Sequence, residues 1–175
     1  YMLQHDHLFE WRTVYRNVVL GAEIHGKVTP EIRARAEQLL EQYGLERFAR
    51  SRPSELSGGM RQRAALIRTL LLDPELLLLD EPFSALDYQT RLTVSDDIGQ
   101  IIRRSGKTAL LVTHDLSEAV SLSDRVIILS KRPASIVRIV PVKFTLENDT
   151  PLNRRNAPEF KTYFNEIWKE LNHDE

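Results

Sequence analysis

The pattern of apolar and polar residues along the chain predicts alternating strands and helices. Leucine fills four consecutive positions at 76–79, and such a continuous apolar run is typical of a strand that is buried on both faces. Further apolar segments of strand length cover residues 108–113, 126–129 and 136–142. Helical spacing of apolar residues predicts helices over 89–104 and 116–122. This alternation predicts an α/β layer whose strands are joined by right-handed crossovers.

Two more helices are predicted before the leucine strand. Thr29 is suited to cap a helix that begins at Pro30, and Gly44 is suited to end it. A second helix is predicted from about Met60 to Leu72, because Asp73 and Pro74 then stop it. The first four residues have the pattern of the end of a short strand.

The C-terminal segment differs in character from the rest of the chain. Residues 148–158 are rich in turn-forming residues. Apolar side chains then recur on one helical face, at Phe160, Tyr163, Phe164, Ile167, Trp168 and Leu171. This stripe predicts an amphipathic helix that docks on the core of its own chain. The alternative is that the stripe is a contact surface for a partner chain.

Two histidines are expected to be exposed to solvent, namely His25 and His173.

Composition narrows the possible functions. The chain has 175 residues, which fits one domain, and 24 Lys and Arg against 25 Asp and Glu give a net charge of −1. Neither nucleic acid nor an anionic lipid surface is therefore expected as a partner. The chain has no cysteine, so disulfides, thiolate zinc sites and cysteine nucleophiles are excluded. Its apolar runs are far shorter than the roughly 20 residues of a membrane-spanning helix.

A pair of carboxylates follows the leucine strand directly. Open α/β sheets place their ligand sites at the carboxyl ends of strands, where Asp80 and Glu81 are expected to lie. Asp80 is suited to hold the Mg²⁺ of a nucleotide, and Glu81 to orient or deprotonate a water that attacks a γ-phosphate. The alternative is a strand that merely reaches solvent and turns polar.

Two other short segments are candidates for phosphate chemistry. Ser57, Gly58 and Gly59 stand where a helix begins, so Ser57 can cap it and the glycines let backbone amides approach an anion. His114 follows the strand at 108–113 and is placed to bond a terminal phosphate. A flexible turn and a capped turn residue are the respective alternatives. The pair His5 and His7 lacks a third ligand for a metal site.

These motifs together resemble the ATP-binding cassette (ABC) ATPase, the motor subunit of ABC transporters. Residues 56–63 match its signature motif, 76–80 its Walker B strand, Glu81 its catalytic glutamate, 84–87 its D-loop, His114 its switch histidine and Gln4 its Q-loop glutamine. The resemblance implies a partial P-loop NTPase-like α/β fold, with a mostly parallel sheet, flanking helices and a helical subdomain. It also implies an ATPase domain over 1–147, with the helical subdomain at about 15–72, and a C-terminal extension over 148–175.

The resemblance also implies roles for individual residues. Glu81, His114 and Gln4 are expected to act in hydrolysis of the subunit's own ATP, with Asp80 and Gln4 at its Mg²⁺. Residues of the signature motif are expected to bind the partner subunit's nucleotide; these are Ser57, Gly58, Gly59 and Gln62. Asp87 of the D-loop is expected to contribute to the nucleotide site as well.

The partners that the resemblance implies are a second ATPase subunit in a head-to-tail homodimer, transmembrane permease subunits and, indirectly, an extracytoplasmic solute-binding protein. The expected location is the cytoplasmic face of the membrane. Residues 4–21 would carry the groove for the permease, with Trp11 either as its anchor or as a buried core residue. The segments 11–14, 130–137 and 158–160 resemble nitrate, sulfonate and taurine importers, although Glu10 departs from that pattern.

One family motif has no counterpart in the sequence. No segment reads G-x-x-x-x-G-K-[ST], the loop that cradles the β- and γ-phosphates. In the family this loop precedes Gln4, so we expect the chain to be a segment of a longer protein, or to lack its N-terminal part, and to be inactive alone. A soluble ABC ATPase not coupled to transport, or a non-catalytic interaction module, are the alternative functions.

Overall fold

A computed structural model describes residues 1–172, and the prediction for His173 falls outside the described residues. The chain divides into two compact units, one at Tyr1–Val112 and one that begins at Thr113. These are units of packing, and the domain boundary expected near residue 147 stays a prediction. Within residues 1–172, no helix is both long and apolar enough to cross a membrane.

The first unit is mainly helical between residues 14 and 70 and then alternates between strands and a long helix. Its elements are α1 (Val14–Val18), α2 (Leu20–Ile24), α3 (Pro30–Gln42), 3₁₀ turns at Glu46–Phe48 and Pro53–Glu55, α4 (Gly58–Leu70), β1 (Leu76–Asp80), α5 (Tyr88–Ser105) and β2 (Thr108–Val112). Helix α4 packs against α1, α2, α3 and α5, and its buried residues 64–67 lie at the centre of this helical part. Helix α3 is confirmed with Thr29 as its N-cap, whereas α4 begins two residues earlier than predicted.

The sheet of the first unit joins β1 and β2 in parallel. Leu76 pairs with Thr108 and Asp80 with Val112, while Met2 forms a single parallel bridge to Leu79 in place of the predicted strand end. Leu77 and Leu79 are buried, but Leu76 is 48% exposed. The prediction that β1 is buried on both faces is therefore wrong. Alternate side chains point to opposite faces of a strand, and the face with Leu77 and Leu79 is buried whereas the face with Leu76 and Leu78 is exposed or only partly buried.

The second unit packs helices against an antiparallel pair of strands. Its elements are α6 (Leu116–Leu122), β3 (Arg125–Leu129), β4 (Ile136–Pro141), α7 (Pro151–Asn156) and α8 (Pro158–Asn172). The core combines one face of the strands with apolar residues of α6 and α8, namely Val120, Val126, Ile128, Val140, Val142 and Ile167. Phe160 and Tyr163 pack against this core, so the predicted docking of the amphipathic helix is confirmed.

Helix α7 lies in the segment predicted to consist of turns. Thr150 caps it by accepting a hydrogen bond from the Asn153 amide, and Pro151 occupies its first turn. The Thr-Pro pair was thus the available signal for a helix start. Arg154 of α7 is buried, donates to both carboxylate oxygens of Asp149 and to the carbonyl oxygen of Ser123, and so ties α7 to the start of β3.

Candidate functional site

Glu81 lies at the carboxyl end of β1 with its backbone held on two sides. Its amide donates to the carbonyl oxygen of Val112 at 2.8 Å, which links the ends of β1 and β2. Its own carbonyl oxygen accepts from the amide and the hydroxyl of Ser84, at 3.2 and 3.0 Å. The φ of Glu81 is +43°, in the left-handed region that non-glycine residues rarely adopt. Such strain costs about 1–3 kcal/mol and persists only where the surroundings hold it, typically at functional sites.

Asp80 and Gln4 lie at the same edge of this sheet. The amide of Met2 donates to Leu78 and its carbonyl oxygen accepts from Asp80, so the chain runs parallel to β1 and Gln4 follows beyond the strand end. The phenol of Tyr1 donates to Oδ2 of Asp80 at 3.1 Å, and this hydrogen bond raises the pKa of Tyr1.

The oxygen donors at this edge fit Mg²⁺. A carboxylate and an amide oxygen are among the ligands that Mg²⁺ prefers, and it usually takes the remainder from water and substrate phosphates. In the described part of the chain, no cluster of three or more His, Asp or Glu side chains is arranged to hold a metal. A magnesium ion held by Asp80 and Gln4 would take its remaining ligands from water and a bound nucleotide, and within residues 1–172 His5 and His7 belong to no such cluster of three side chains.

The signature residues differ in their exposure. Ser57 caps α4 by accepting from the Met60 amide at 3.3 Å, and both Ser57 and Gly58 are exposed. Gly59 is buried, and Gln62 is only 2% exposed. The Oε1 atom of Gln62 accepts no hydrogen bond from the residues that the structure describes. In this conformation Gln62 is turned into the protein, so a contact with a nucleotide requires its side chain to rotate.

The two glycines have a packing role that the sequence did not reveal. A Cβ on Gly58 would lie 2.9 Å from Leu86 Cδ2, and one on Gly59 would lie 2.5 Å from Val94 Cγ2. The start of α4 therefore lies directly against the D-loop and α5 of the same chain. Asp87, the last D-loop residue, caps α5 by accepting from the Thr90 amide at 3.1 Å, and hydrogen bonds from the side chain and then the amide of Thr90 lower the pKa of Asp87.

His114 belongs to the second unit and is exposed in the turn before α6. The next residue, Asp115, caps α6 by accepting from the amides of Ser117 and Glu118 at 2.7 and 3.2 Å. The preceding residue, Thr113, accepts from the Asp115 amide at 3.0 Å. The side chain that precedes His114 is thus hydrogen-bonded to the backbone amide that follows it.

An ion-pair network that sequence reasoning missed links residues 6–10 to helix α4. Arg61 donates to both carboxylate oxygens of Asp6, at 2.8 and 3.2 Å, and contacts Glu10 at 2.8 Å. Arg68 donates to the carbonyl oxygens of Asp6 and His7. Burial alone would raise the pKa of Asp6, but the hydrogen bonds from Arg61 and the Leu8 amide lower it below its ordinary value. These partners are more than 50 residues apart in sequence, so no local pattern predicts them.

Trp11 is exposed on a hydrogen-bonded loop. It is 71% exposed and contacts Phe9, with ring centroids 4.6 Å apart and the ring planes tilted by 38°. The buried side chain of Asn17 fixes this loop, because it accepts from the Phe9 amide at 2.7 Å and donates to the Phe9 carbonyl oxygen at 3.1 Å. The alternative that Trp11 is a core residue is therefore wrong.

Comparison with known proteins identifies relatives along almost the whole chain. An uncharacterised ABC transporter ATP-binding protein of Bacillus subtilis is 48% identical over 98% of the chain. A nitrate import ATP-binding protein of Synechocystis is 41% identical over 95%, and an aliphatic sulfonates import ATP-binding protein of Bacillus licheniformis is 39% identical over 98%. The chain spans 66%, 64% and 64% of the length of these three relatives, respectively.

The fold and the family model agree with these relatives. The structure of a dimeric, post-hydrolysis state of the ATP-binding cassette MJ0796, bound to ADP and Pi, matches with a TM-score of 0.63 and 32% identity. The match covers 82% of this chain and 62% of that one. The family model for ABC transporters matches residues 1–84, which include the Q-loop, signature and Walker B segments. The chain therefore belongs to the ATP-binding domains of ABC transporters.

Proposed function

We propose that the protein from which this chain comes is the ATP-hydrolysing subunit of an ABC importer. The observation that carries this proposal is the strained backbone of Glu81, held between Val112 and Ser84 beside Asp80 at the carboxyl end of β1. The fixed backbone gives the Glu81 carboxylate a defined starting position. A positioned carboxylate at this edge is suited to orient the water that attacks the γ-phosphate and to accept its proton.

The remaining site residues divide between two nucleotides in this proposal. Asp80 and Gln4 would hold the Mg²⁺ of the subunit's own ATP, and that ion supplies charge neutralisation at the phosphates. His114 bonds the terminal phosphate. Ser57, Gly58 and Gly59 contact the nucleotide of a second subunit in a head-to-tail homodimer, because Ser57 and Gly58 are exposed at the N-terminus of a 13-residue helix. Gln62 joins them only after rotation, and Asp87 borders the same site.

The 175-residue chain is proposed to be inactive alone. It has no G-x-x-x-x-G-K-[ST] segment, so backbone amides and a lysine for the β- and γ-phosphates would come from outside these residues. The complete subunit is the species proposed to bind and hydrolyse Mg·ATP and to close and reopen the dimer. The experiments below therefore use the complete subunit.

The solute is proposed to be a small molecule or ion of the nitrate, sulfonate or taurine type. Relatives with nitrate and aliphatic sulfonate import names, each about 40% identical, support this class without distinguishing its members. The proposed setting is the cytoplasmic face of the membrane, where the subunit would bind permease subunits and respond through them to a solute-binding protein. The exposed Phe9–Trp11 pair supports this, because a large aromatic pair on a fixed loop is typical of an interaction site.

The test is Glu81→Gln in the complete subunit. We expect Mg·ATP binding, measured by calorimetry, to be retained and steady-state hydrolysis to fall by at least about 10²-fold, because glutamine cannot accept the proton from the attacking water. Glu75→Gln is the matched control: it removes an exposed carboxylate just before the opposite end of β1 and is expected to leave turnover unchanged.

Other outcomes would redirect the proposal. Turnover retained by Glu81→Gln contradicts the catalytic assignment. Absence of Mg·ATP binding by the wild-type complete subunit favours a non-catalytic module instead. Hydrolysis that does not respond to permease in a reconstituted transporter favours a soluble ABC ATPase.

A further inference from the structure

Hydrogen bonds join Thr113, Asp115 and Glu118 around the position of His114. The hydroxyl of Thr113 donates to Oε2 of Glu118 at 2.7 Å, and the same hydroxyl oxygen accepts from the Asp115 amide at 3.0 Å. Glu118 is only 4% exposed although it carries a carboxylate. His114, which lies between the two residues so joined, is exposed.

The chemistry of the Thr113 hydroxyl determines which of its hydrogen bonds is donated and which is accepted. A threonine hydroxyl has one hydrogen to donate and two lone pairs to accept with. Because its hydrogen is committed to the carboxylate of Glu118, a lone pair is directed toward the Asp115 amide. Hydrogen bonds to a carboxylate are shorter and roughly twice as strong as those between neutral groups. Glu118 therefore orients the Thr113 hydroxyl, and that hydroxyl fixes the turn in which His114 stands.

Helix stability favours a carboxylate in the first turn of α6, where Glu118 lies, but it does not require the bond between Glu118 and Thr113. Asp115 already caps α6 through two backbone amides, and Thr113 stands outside the helix, which begins at Leu116. Burial of a carboxylate is costly unless hydrogen bonds replace its water. The buried Glu118 of α6 is hydrogen-bonded to Thr113, the residue before His114. This bond is expected where the backbone at His114 has to keep one defined conformation.

We propose that Thr113 and Glu118 are positioning residues for His114. Neither touches the nucleotide; the carboxylate holds the threonine hydroxyl, and the hydroxyl holds the backbone that presents the imidazole. This inference rests on the proposed role of His114 in ATP hydrolysis. It adds a residue pair whose removal misplaces that imidazole without removing it.

The test compares Thr113→Val with Thr113→Ser in the complete subunit. Valine keeps the shape of threonine without the hydroxyl, and serine keeps the hydroxyl. We expect Thr113→Val to lower kcat about 10–100-fold at nearly unchanged KM for ATP, because a misplacement of about 1 Å can cost 10²-fold. Thr113→Ser is expected to restore most of the wild-type kcat.

Ser121→Ala separates positioning from general loss of stability. Ser121 is a buried residue of the same helix whose hydroxyl donates to the carbonyl oxygen of Ser117, so its removal also deletes a buried hydrogen bond. We expect Ser121→Ala to lower the melting temperature about as much as Thr113→Val while kcat stays at the wild-type value. Equal kcat losses in the two variants would overturn the inference.

A double-mutant cycle with His114→Ala completes the test. If Thr113 acts through His114, then Thr113→Val has no further effect on kcat once His114 is alanine. Independent, multiplicative losses would overturn the inference, as would a folded Thr113→Val variant with wild-type kcat. Turnover retained by His114→Ala would overturn the inference as well, whereas failure of the proposed function itself is read separately, from Glu81→Gln.

Discussion

Gly58 and Gly59 are adjacent at the start of α4 but differ in what surrounds them. Gly58 is exposed and faces the flexible end of Leu86, whereas Gly59 is buried against Val94. Valine has a stiff χ1 torsion and cannot easily move its methyl group away. The requirement for glycine at position 59 is thus a packing requirement, and it is separate from any approach of a nucleotide.

Replacement of each glycine by alanine tests this difference. We expect Gly59→Ala to lower the free energy of unfolding by about 1–3 kcal/mol, as overpacking of a closed core position does, and Gly58→Ala to cost clearly less. Denaturant unfolding of both variants measures the difference. In a Val94→Ala background the cost of Gly59→Ala should fall, because the methyl group 2.5 Å from the new Cβ is then absent. A Gly58→Ala cost as large as that of Gly59→Ala would contradict this account.

At the scale of elements, α4 organises the first unit. It carries the signature residues at its N-terminus, packs against four other helices, and holds residues 6–10 through Arg61 and Arg68. The segment after Gln4 is therefore anchored on the helix that begins with Ser57. A displacement of α4 would act directly on the backbone that follows the Q-loop glutamine.

The Asp6 ion pair makes this anchorage dependent on pH. The pKa of Asp6 is lowered in the folded chain, so its stabilisation is complete above the unfolded pKa of about 3.9 and is lost as pH falls through the folded pKa. We expect Asp6→Asn to lower the free energy of unfolding by about 1.5 kcal/mol at pH 7, at the low end for bonds to charged groups, because Arg61 keeps Glu10 as a partner.

The measurement is the free energy of unfolding of both proteins between pH 7 and pH 3. The difference in the free energy of unfolding between wild type and Asp6→Asn should be constant near pH 7 and should become smaller as the pH falls. Glu37→Gln removes an exposed carboxylate from α3 and controls for the loss of one negative charge. A gap that stays constant down to pH 3 would show that the charge of Asp6 does not contribute.

For the whole molecule, the two tryptophans mark two exposed surfaces. Trp11 is 71% exposed beside Phe9 in the first unit, and Trp168 is 53% exposed on α8 in the second unit. The rest of the α8 stripe reaches the core of its own unit through Ile167. The buried side chain of Asn17 is hydrogen-bonded to the backbone of the Trp11 loop, and this loop is the surface that we expect the permease to contact.

Trp11→Ala and Trp168→Ala form a matched pair for assembly of the transporter. Loss of a tryptophan at the centre of an interface typically costs at least about 2 kcal/mol, or roughly 30-fold in Kd. We expect Trp11→Ala to weaken the affinity of the complete subunit for its permease by this factor. Trp168→Ala is expected to leave that affinity unchanged. The reverse result would assign the permease contact to α8.

Much of the fold and the type of site could be predicted from local sequence. Thr29, Pro30 and Gly44 mark the ends of α3 because caps and stops act within one helical turn. The strand segments and the carboxylates at the end of β1 could also be predicted, because both are patterns of neighbouring residues in the sequence. Helix α7 was missed although Thr150 and Pro151 carry a comparable signal, since the turn-forming residues around them masked it.

The sequence by itself determined the family, the four strands, the helices α3 to α6 and α8, and the residue types at the edge of β1, because these depend on motifs and on spacing along the chain. The tertiary structure decided how those residues are held: the strained backbone of Glu81, the inward side chain of Gln62, the glycine packed on Val94 and the hydroxyl that joins Thr113 to Glu118. Each of these depends on which side chains meet once the helices and strands pack, and the periodicity of the chain does not encode such contacts.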